Sequence, residues 1–286
     1  MDVGNNSSFC KAGKKNIFGE EQLALDILAD KLIGNALEQS GLVSVYASEE
    51  RDDEIRTNQP ANHPDASGRK PENQFAVAYD PLDGSSLVDV NLAVGSIFGI
   101  YQEIGLKPIS TFIDKKGGNQ VAAVIAIYGP RVTLIVTTGK QVDEFTLRDN
   151  GEFELSKENI KIKKQAKNFA PGNLRAATDN PKYFQLVEYW IKNKYTLRYS
   201  GGMVPDINHI LLKEQGIFTY PAPAKLRLLF EAAPIALIME AAGGGASDGE
   251  QNLLDITIKK INQTTPVILG SQEEVVRAVE MLKVDR

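Results

Sequence analysis

The stretch that decides the fold is VAYDPLDGSS, residues 77–86. An apolar and aromatic run that starts at Phe75 reads as a buried strand, and it ends abruptly at Asp80, Pro81, Leu82 and Asp83. Pro81 restricts the residue before it to an extended conformation, so Asp80 is held at the strand tip. Gly84 lets the chain turn closely. Ser85 and Ser86 suit the start of a helix, where free N–H groups and the positive end of the dipole attract a phosphate. Two carboxylates at one tip coordinate divalent cations, and the amides just after them hold the phosphate that those cations polarise. Magnesium favours such hard oxygen ligands and keeps substrate phosphate in its shell. Two or more ions bridged by carboxylates stabilise both the attacking and the leaving oxygen of an in-line displacement.

Upstream, residues 19–41 (GEEQLALDILADKLIGNALEQSG) predict one helix. Leu23, Ile27, Leu28, Leu32 and Leu37 recur at helical spacing, acids occupy the first turn, and Gly41 follows the last. LVSVYA (42–47) predicts a short strand ending at Ser48-Glu49-Glu50, and the polar, Pro/Asn/Asp-rich residues 51–74 predict a surface loop. Downstream, strands are predicted at 95–104, 120–129 and 131–139, the last two joined at a Gly-Pro turn. The polar stretch 157–169 reads as a connection, which divides the chain into domains 1–166 and 167–286.

Beyond it, NLRAAT (173–178) and YTLRY (195–199) predict strands on either side of a helix opened by Asn180-Pro181. A helix near 203–213, a strand at 217–220, an apolar helix within 228–242, a strand at 265–271 and a closing helix at 272–283 follow. Helices and strands alternate, so the fold class is α/β (α+β), with sheets sandwiched between helix layers.

Composition removes several functions. The chain has 286 residues, 42% of them hydrophobic, and a chain of that size buries roughly 75% of its unfolded surface. Its one cysteine, Cys10, permits no internal disulfide, and a reducing compartment is the natural reading. That compartment is the cytoplasm, or the plastid stroma if a transit peptide has been removed. The N-terminus lacks the apolar core of a secretory signal, and no apolar run approaches the ~20 residues that span a bilayer. A soluble protein with no membrane partner is expected. Net charge is −5, with Lys and Arg dispersed rather than gathered into a basic stripe, so nucleic acid is not an expected partner. His63 and His209 are the only histidines and stand far apart, which argues against Ser-His-Asp chemistry and histidine-rich zinc sites. Carboxylates are left to do the work.

Three further places put acids where packing alone would not: Glu49 and Glu50 at a strand end, Asp26 within LALDILADKL with Asp30 one turn on, and Glu231 within RLLFEAAPIALIMEAAGG. Each has a plain alternative. Glu49 and Glu50 read equally as solvated loop residues, Asp26 as a helix-surface acid, and Glu231 as a helical mate of Arg227, four residues earlier. A buried Glu231 would need neutralising, pairing or a cation. The glycines of GGGASDG (243–249) follow a helix instead of opening one after a strand, so they do not meet the dinucleotide-binding fingerprint.

DPLDGSS, the upstream SEE, AIYGPR (126–131), RYSGGMVPD and KLRLLFEAAPIALIMEAAGG together resemble the class I fructose-1,6-bisphosphatases. FGEEQLALDILADKL, GGNQVAAVIAIYGPR, FAPGNLRAATDN and KYTLRYSGGMVPDIN bring the likeness closest to the sedoheptulose-1,7-bisphosphatases of that group. The resemblance runs from about Gly19 to the C-terminal helix. It implies the layered αβαβα sugar-phosphatase fold, with a first domain that binds metal and phosphate and a second that binds sugar and lends a metal ligand. It also implies two or three Mg²⁺ per subunit, with Mn²⁺ as a substitute.

Carried over residue by residue, the resemblance places metal ligands at Glu49, Glu50, Asp80, the Leu82 carbonyl, Asp83 and Glu231. Asp26, with Glu50, would orient and deprotonate the attacking water. Glu20 stands where the family has a mobile-loop acid, usually Asp, and Arg227 stands where it has that acid's partner. Substrate contacts fall on Asp83, on Gly84, Ser85 and Ser86 for the phosphate being cleaved, and on Asn173, Arg198, Tyr199, Met203, Tyr220 and Lys225 for the sugar and distal phosphate. The family supplies the arginine at Arg198 across a subunit interface, so a homodimer or homotetramer is implied.

The expected activity is hydrolysis of the 1-phosphate of sedoheptulose 1,7-bisphosphate. Fructose-1,6-bisphosphatase or dual activity is the alternative, and a non-catalytic sugar-phosphate sensor a minor one. No counterpart of the AMP-binding segment precedes Gly19, and Gln74, Phe75 and Gln102 replace its later basic and aromatic partners, so AMP inhibition is not expected. Control by an internal thiol–disulfide switch is excluded by the cysteine count.

Overall fold

The computed structural model describes residues 11–15, 21–57, 74–103 and 112–283. A short antiparallel pair, β1 (Lys11–Lys15) with β2 (Glu21–Leu23), leads into α1 (Ala24–Ser40). The large sheet follows, built from β3 (Val43–Ser48), β4 (Ile55–Arg56), β5 (Gln74–Asp83), β6 (Val94–Glu103), β7 (Gln120–Tyr128), β8 (Val132–Thr137), β9 (Val142–Leu147) and β10 (Phe153–Lys157). Its spatial order is β10-β9-β8-β7-β6-β5-β3-β4, antiparallel except where β3 runs parallel to β5. The smaller sheet contains β11 (Asn168–Pro171), β12 (Thr196–Leu197), β13 (Ile217–Tyr220), β14 (Gly245–Ser247) and β15 (Val267–Gly270), in the order β12-β11-β13-β15-β14. In it β11 runs parallel to both β12 and β13. The remaining helices are α2 (Pro181–Lys192), α3 (Met203–Lys213), α4 (Ala233–Ala241) and α5 (Gln272–Leu282).

Burial explains how the layers stack. Helix α4 buries Ala233, Pro234, Ile235, Ala236, Ile238 and Met239, apolar almost all round, as a helix clamped between two sheets must be. With Ile207 and Leu211 of α3, it joins Ile97, Ile125 and Ile135 of the large sheet to Phe218, Val267 and Leu269 of the small one in a single core. Strand alternation turns Phe169, Ile217 and Ile268 to the opposite face, where Leu186 and Trp190 of α2 and Val275 of α5 cover them. Helix α1 lies on the outer face of the large sheet, its Ile33 and Leu37 packed on Tyr46, Val77 and Tyr79. The result is helix, sheet, helices, sheet, helices. Among the described residues no helix is long and apolar enough to cross a membrane.

One glycine shows how closely α3 approaches the large sheet. A Cβ on Gly95 would lie 2.2 Å from the Ala126 carbonyl oxygen and 2.5 Å from Val204 Cγ1. Gly95→Ala should therefore force the start of α3 outward and cost about 3 kcal/mol, as overpacked cores do. Chemical denaturation measures this, and an unchanged midpoint would contradict the packing described.

Several sequence expectations need correction. The first helix begins at Ala24, not Gly19, and Glu21–Leu23 is extended. Its period is as expected but its phase is not: Asp26, Asp30 and Gly34 are buried, whereas Leu28 is 46% and Leu32 60% exposed. The helix turns its small and acidic stripe inward because the Tyr46 hydroxyl fills the space at Gly34 and Asp30 finds partners below it. NLRAAT forms a 3₁₀ turn, Leu174–Thr178, and the strand is the preceding Asn168–Pro171, which overlaps the end of the stretch read as a connection. YTLRY pairs only over Thr196–Leu197. The β9–β10 hairpin carried no expectation, although Asp149-Asn150-Gly151 marks its turn and Gly151 has φ +84°. Cys10, His63 and residues 58–73 of the expected loop lie outside the described residues.

Candidate active site

The site forms where β3 and β5 end side by side. Because these strands are parallel, with Ser48 opposite Tyr79, their acids emerge at one edge. The Glu49 amide donates to the Tyr79 carbonyl at 3.0 Å, and the Glu50 amide to Ser48 Oγ at 3.3 Å. At the tip of β5, Asp80 Oδ1 accepts from the Leu82 amide at 2.9 Å, and Ser96 Oγ donates to the Pro81 carbonyl at 2.7 Å. The pairing with β6 slips between Asp80 and Asp83, an irregularity that re-aims both acids. Gly84 then takes φ +79°, a conformation that suits glycine, and opens a 3₁₀ turn over Ser85–Val90.

The other half of the chain supplies the rest. Glu231 sits in a π-helical turn, Leu228–Ala232, a distortion often found at functional sites. Its Oε2 accepts from the Arg227 amide at 2.5 Å. Across the molecule, Asp83 Oδ2 accepts from the Val204 amide in the first turn of α3 at 2.6 Å. Carboxylate oxygens of Asp80, Asp83 and Glu231 thus lie within 4.8 Å of one another, all three residues buried.

This crowding governs the electrostatics. Burial, then the charges of Glu49, Asp83 and Glu231, push the Asp80 carboxyl well above the usual carboxylate range. Burial, with Glu49 and Asp83, does the same to Glu231. Burial raises Asp83 to about 6 against the stabilising amides of Val204 and Met203. It raises Glu49 to about 7 against the Arg227 guanidinium, whose Nη2 stands 3.7 Å from Glu49 Oε1. Carboxyls held together in this way keep their protons or take a cation. The donor set is all oxygen and mostly anionic, which fits Mg²⁺ or Mn²⁺.

A cleft of about 430 Å³ opens over the cage. Asp26, Glu49, Glu50, Asp80, Leu82, Asp83 and Glu231 line one end, with Gly84, Ser85 and Ser86 beside them. Tyr199, Met203, Tyr220 and Lys225 line the rest. Gly172, Tyr199 and Tyr220 lie at the carboxyl ends of the parallel strands β11, β12 and β13, the usual ligand edge of such sheets, while Met203 opens α3 and Lys225 follows β13. Tyr199 Oη donates to the Gly172 carbonyl at 3.0 Å and ties two of those ends together.

Three expected residues do not line the cleft. Asn173 precedes the 3₁₀ turn beside it, Arg198 is exposed with Nη1 donating to the Leu197 carbonyl, and Arg227 lies buried behind Glu49 with its guanidinium also donating to the Lys225 carbonyl. Glu20 falls outside the described residues. Gly172, Gly201, Gly202, Phe218 and Leu226 line the cleft without having been anticipated. For Gly201-Gly202 the signal was present, since a glycine pair before an apolar helix marks a close backbone turn.

Comparison with known proteins identifies the family and the fold. Residues 6–158 match the family model described as fructose-1-6-bisphosphatase, N-terminal domain, and residues 162–283 match its C-terminal domain. The chain is 47% identical over 273 residues to a chloroplastic sedoheptulose-1,7-bisphosphatase of Triticum aestivum, a match covering 93% of this chain and 65% of that protein. It is 45% identical over 276 residues to a class 1 fructose-1,6-bisphosphatase of Geobacter metallireducens, covering 95% of this chain and 82% of the other. The crystal structure of Leishmania major fructose-1,6-bisphosphatase in holo form superposes with a TM-score of 0.85 at 34% identity, over 96% of this chain and 86% of that one.

Proposed function

Since the chain belongs to the fructose-1,6-bisphosphatase family, we propose that it hydrolyses the 1-phosphate of sedoheptulose 1,7-bisphosphate to sedoheptulose 7-phosphate and phosphate. The observation that carries this reading is the juxtaposition of the Asp80–Asp83–Glu231 oxygens with the turn that begins at Ser85. Glu49, Glu50, Asp80, the Leu82 carbonyl, Asp83 and Glu231 would hold two or three Mg²⁺. Those ions would supply positive charge that polarises the phosphoryl oxygens and steadies the leaving oxygen.

The chain's own residues do the remainder. Gly84, Ser85 and Ser86 bind the phosphate to be cleaved through their backbone and hydroxyl donors. Asp26 and Glu50 orient the attacking water and take its proton. Tyr199, Met203 and Tyr220, which line the cleft, hold the sugar, and the Lys225 ammonium takes the distal phosphate. Arg198 is exposed and so free to enter a neighbour's cleft in the homodimer or homotetramer that the resemblance implies. The single cysteine suits a cytoplasmic protein.

Phosphate release from both bisphosphates, with and without Mg²⁺, tests the reading. The expected result is metal-dependent release with kcat/KM at least about tenfold higher for the sedoheptulose substrate, a gap that one carbon and one hydroxyl can supply. A second reading, fructose 1,6-bisphosphate as substrate, is favoured by the near-equal identities of 47% and 45% to relatives of the two names. A tenfold preference for the fructose compound would establish it. Release from neither substrate would refute both.

A further inference from the structure

Asp30 has no place in the chemistry above, yet it is only 6% exposed on α1, one turn beyond Asp26. Its Oδ1 accepts from Tyr79 Oη at 2.8 Å and its Oδ2 from Arg51 Nε at 2.8 Å. Both partners adjoin a residue of the cage: Tyr79 immediately precedes Asp80, and Arg51 immediately follows Glu50. One carboxylate therefore ties together the three segments that carry Asp26, the Glu49-Glu50 pair and Asp80. Tyr79 is fully buried, and its hydroxyl also lies 3.4 Å from the Asp30 carbonyl oxygen, a weaker second contact to the same residue. Charge-assisted bonds like the two to the carboxylate are short and directional. Apart from them, α1 is held by Leu25, packed against Leu82, Leu87 and Val94, by half-buried Ile33 and Leu37 on the sheet, and by a Tyr46–Glu38 hydrogen bond of 2.8 Å near its far end.

We infer that Asp30, Arg51 and Tyr79 act as a positioning clasp that sets Asp26 against the acids of the cage. None of the three lines the cleft. The inference rests on the function proposed above, because it assigns the clasp a task only if the acids bind metal. Groups that orient ligands from behind typically govern metal affinity by 10–100-fold when removed.

The test measures Mg²⁺ binding to metal-free protein by calorimetry, alongside kcat and KM. Tyr79→Phe preserves shape and removes one bond, and Arg51→Met removes the other at a side chain that is 37% exposed; because Arg51→Met leaves buried Asp30 without its cation, the melting temperature of each variant is read alongside. Each should raise the Mg²⁺ dissociation constant about tenfold and lower kcat in step, with KM for the sugar within about twofold. Asp30→Asn, which keeps an acceptor for Arg51, should fall between these variants and the wild type. Tyr46→Phe is the control: it loses a similar helix-to-sheet bond away from the cage, and should lower melting temperature without changing Mg²⁺ affinity. If Tyr79→Phe and Arg51→Met behave like Tyr46→Phe, the clasp is a stability feature only and the inference falls. If the wild type itself takes up no Mg²⁺, the proposed function falls first, a result that no variant can imitate.

Discussion

Asp80→Asn and Glu231→Gln should each lower kcat by on the order of 10³-fold, because each removes part of the charge that fixes the cations, and those supply several kcal/mol to the transition state. Both side chains are 5% exposed, and their oxygens lie within 4.8 Å of each other and of Asp83. An amide in either place keeps the shape and loses the charge. The same variants should stabilise the metal-free protein, by about 1–3 kcal/mol, since a neutral group replaces an acid crowded by its own kind. Steady-state phosphate release and thermal melting in chelator check both halves. A variant that kept more than a tenth of wild-type turnover would remove the cage from the mechanism.

The second large effect couples pH to metal. The Glu49 carboxyl is raised from 4.5 to about 7 in the folded protein, and Asp80, Asp83 and Glu231 are raised in the same direction. A carboxyl that binds its proton more tightly when folded contributes stability that is fully present below its unfolded pKa. That contribution is lost as pH rises through the folded value. For Glu49 alone the window runs from pH 4.5 to about 7 and is worth about 3 kcal/mol. Metal-free protein should therefore melt lower at pH 8 than at pH 5, by roughly 6 °C from this group. Mg²⁺ takes over from the lost protons, so the rise in melting temperature on adding it should be small at pH 5 and large at pH 8. A Mg²⁺ shift independent of pH would mean that the ion binds elsewhere.

How much of this was legible from the chain depended on whether the deciding contacts were local. Asp80 and Asp83 could be read because Pro81 and Gly84 fix the backbone around them within a few residues. Helix α3 and strand β13 fell where their apolar spacing put them, at Met203–Lys213 and Ile217–Tyr220. The phase of α1 was not legible, because two stripes satisfy the same period. The choice between them lies with Tyr46, Arg51 and Tyr79, distant residues whose polar groups select the acidic stripe. The strand at Asn168–Pro171 was hidden by polar neighbours and takes its conformation from pairing with β12 and β13. Glu231 stood out as an acid in an apolar run, but its meeting with Asp80 depends on a π-helical turn with no signature in composition.

The amide of Val204 caps Asp83 from 121 residues along the chain, and Glu231 arrives from later still. The three-acid cluster is therefore complete only when both halves of the chain are folded together. A nascent chain that has made the first sheet but not yet reached these two residues exposes a pair of aspartates without a third acid or a backbone donor to steady them.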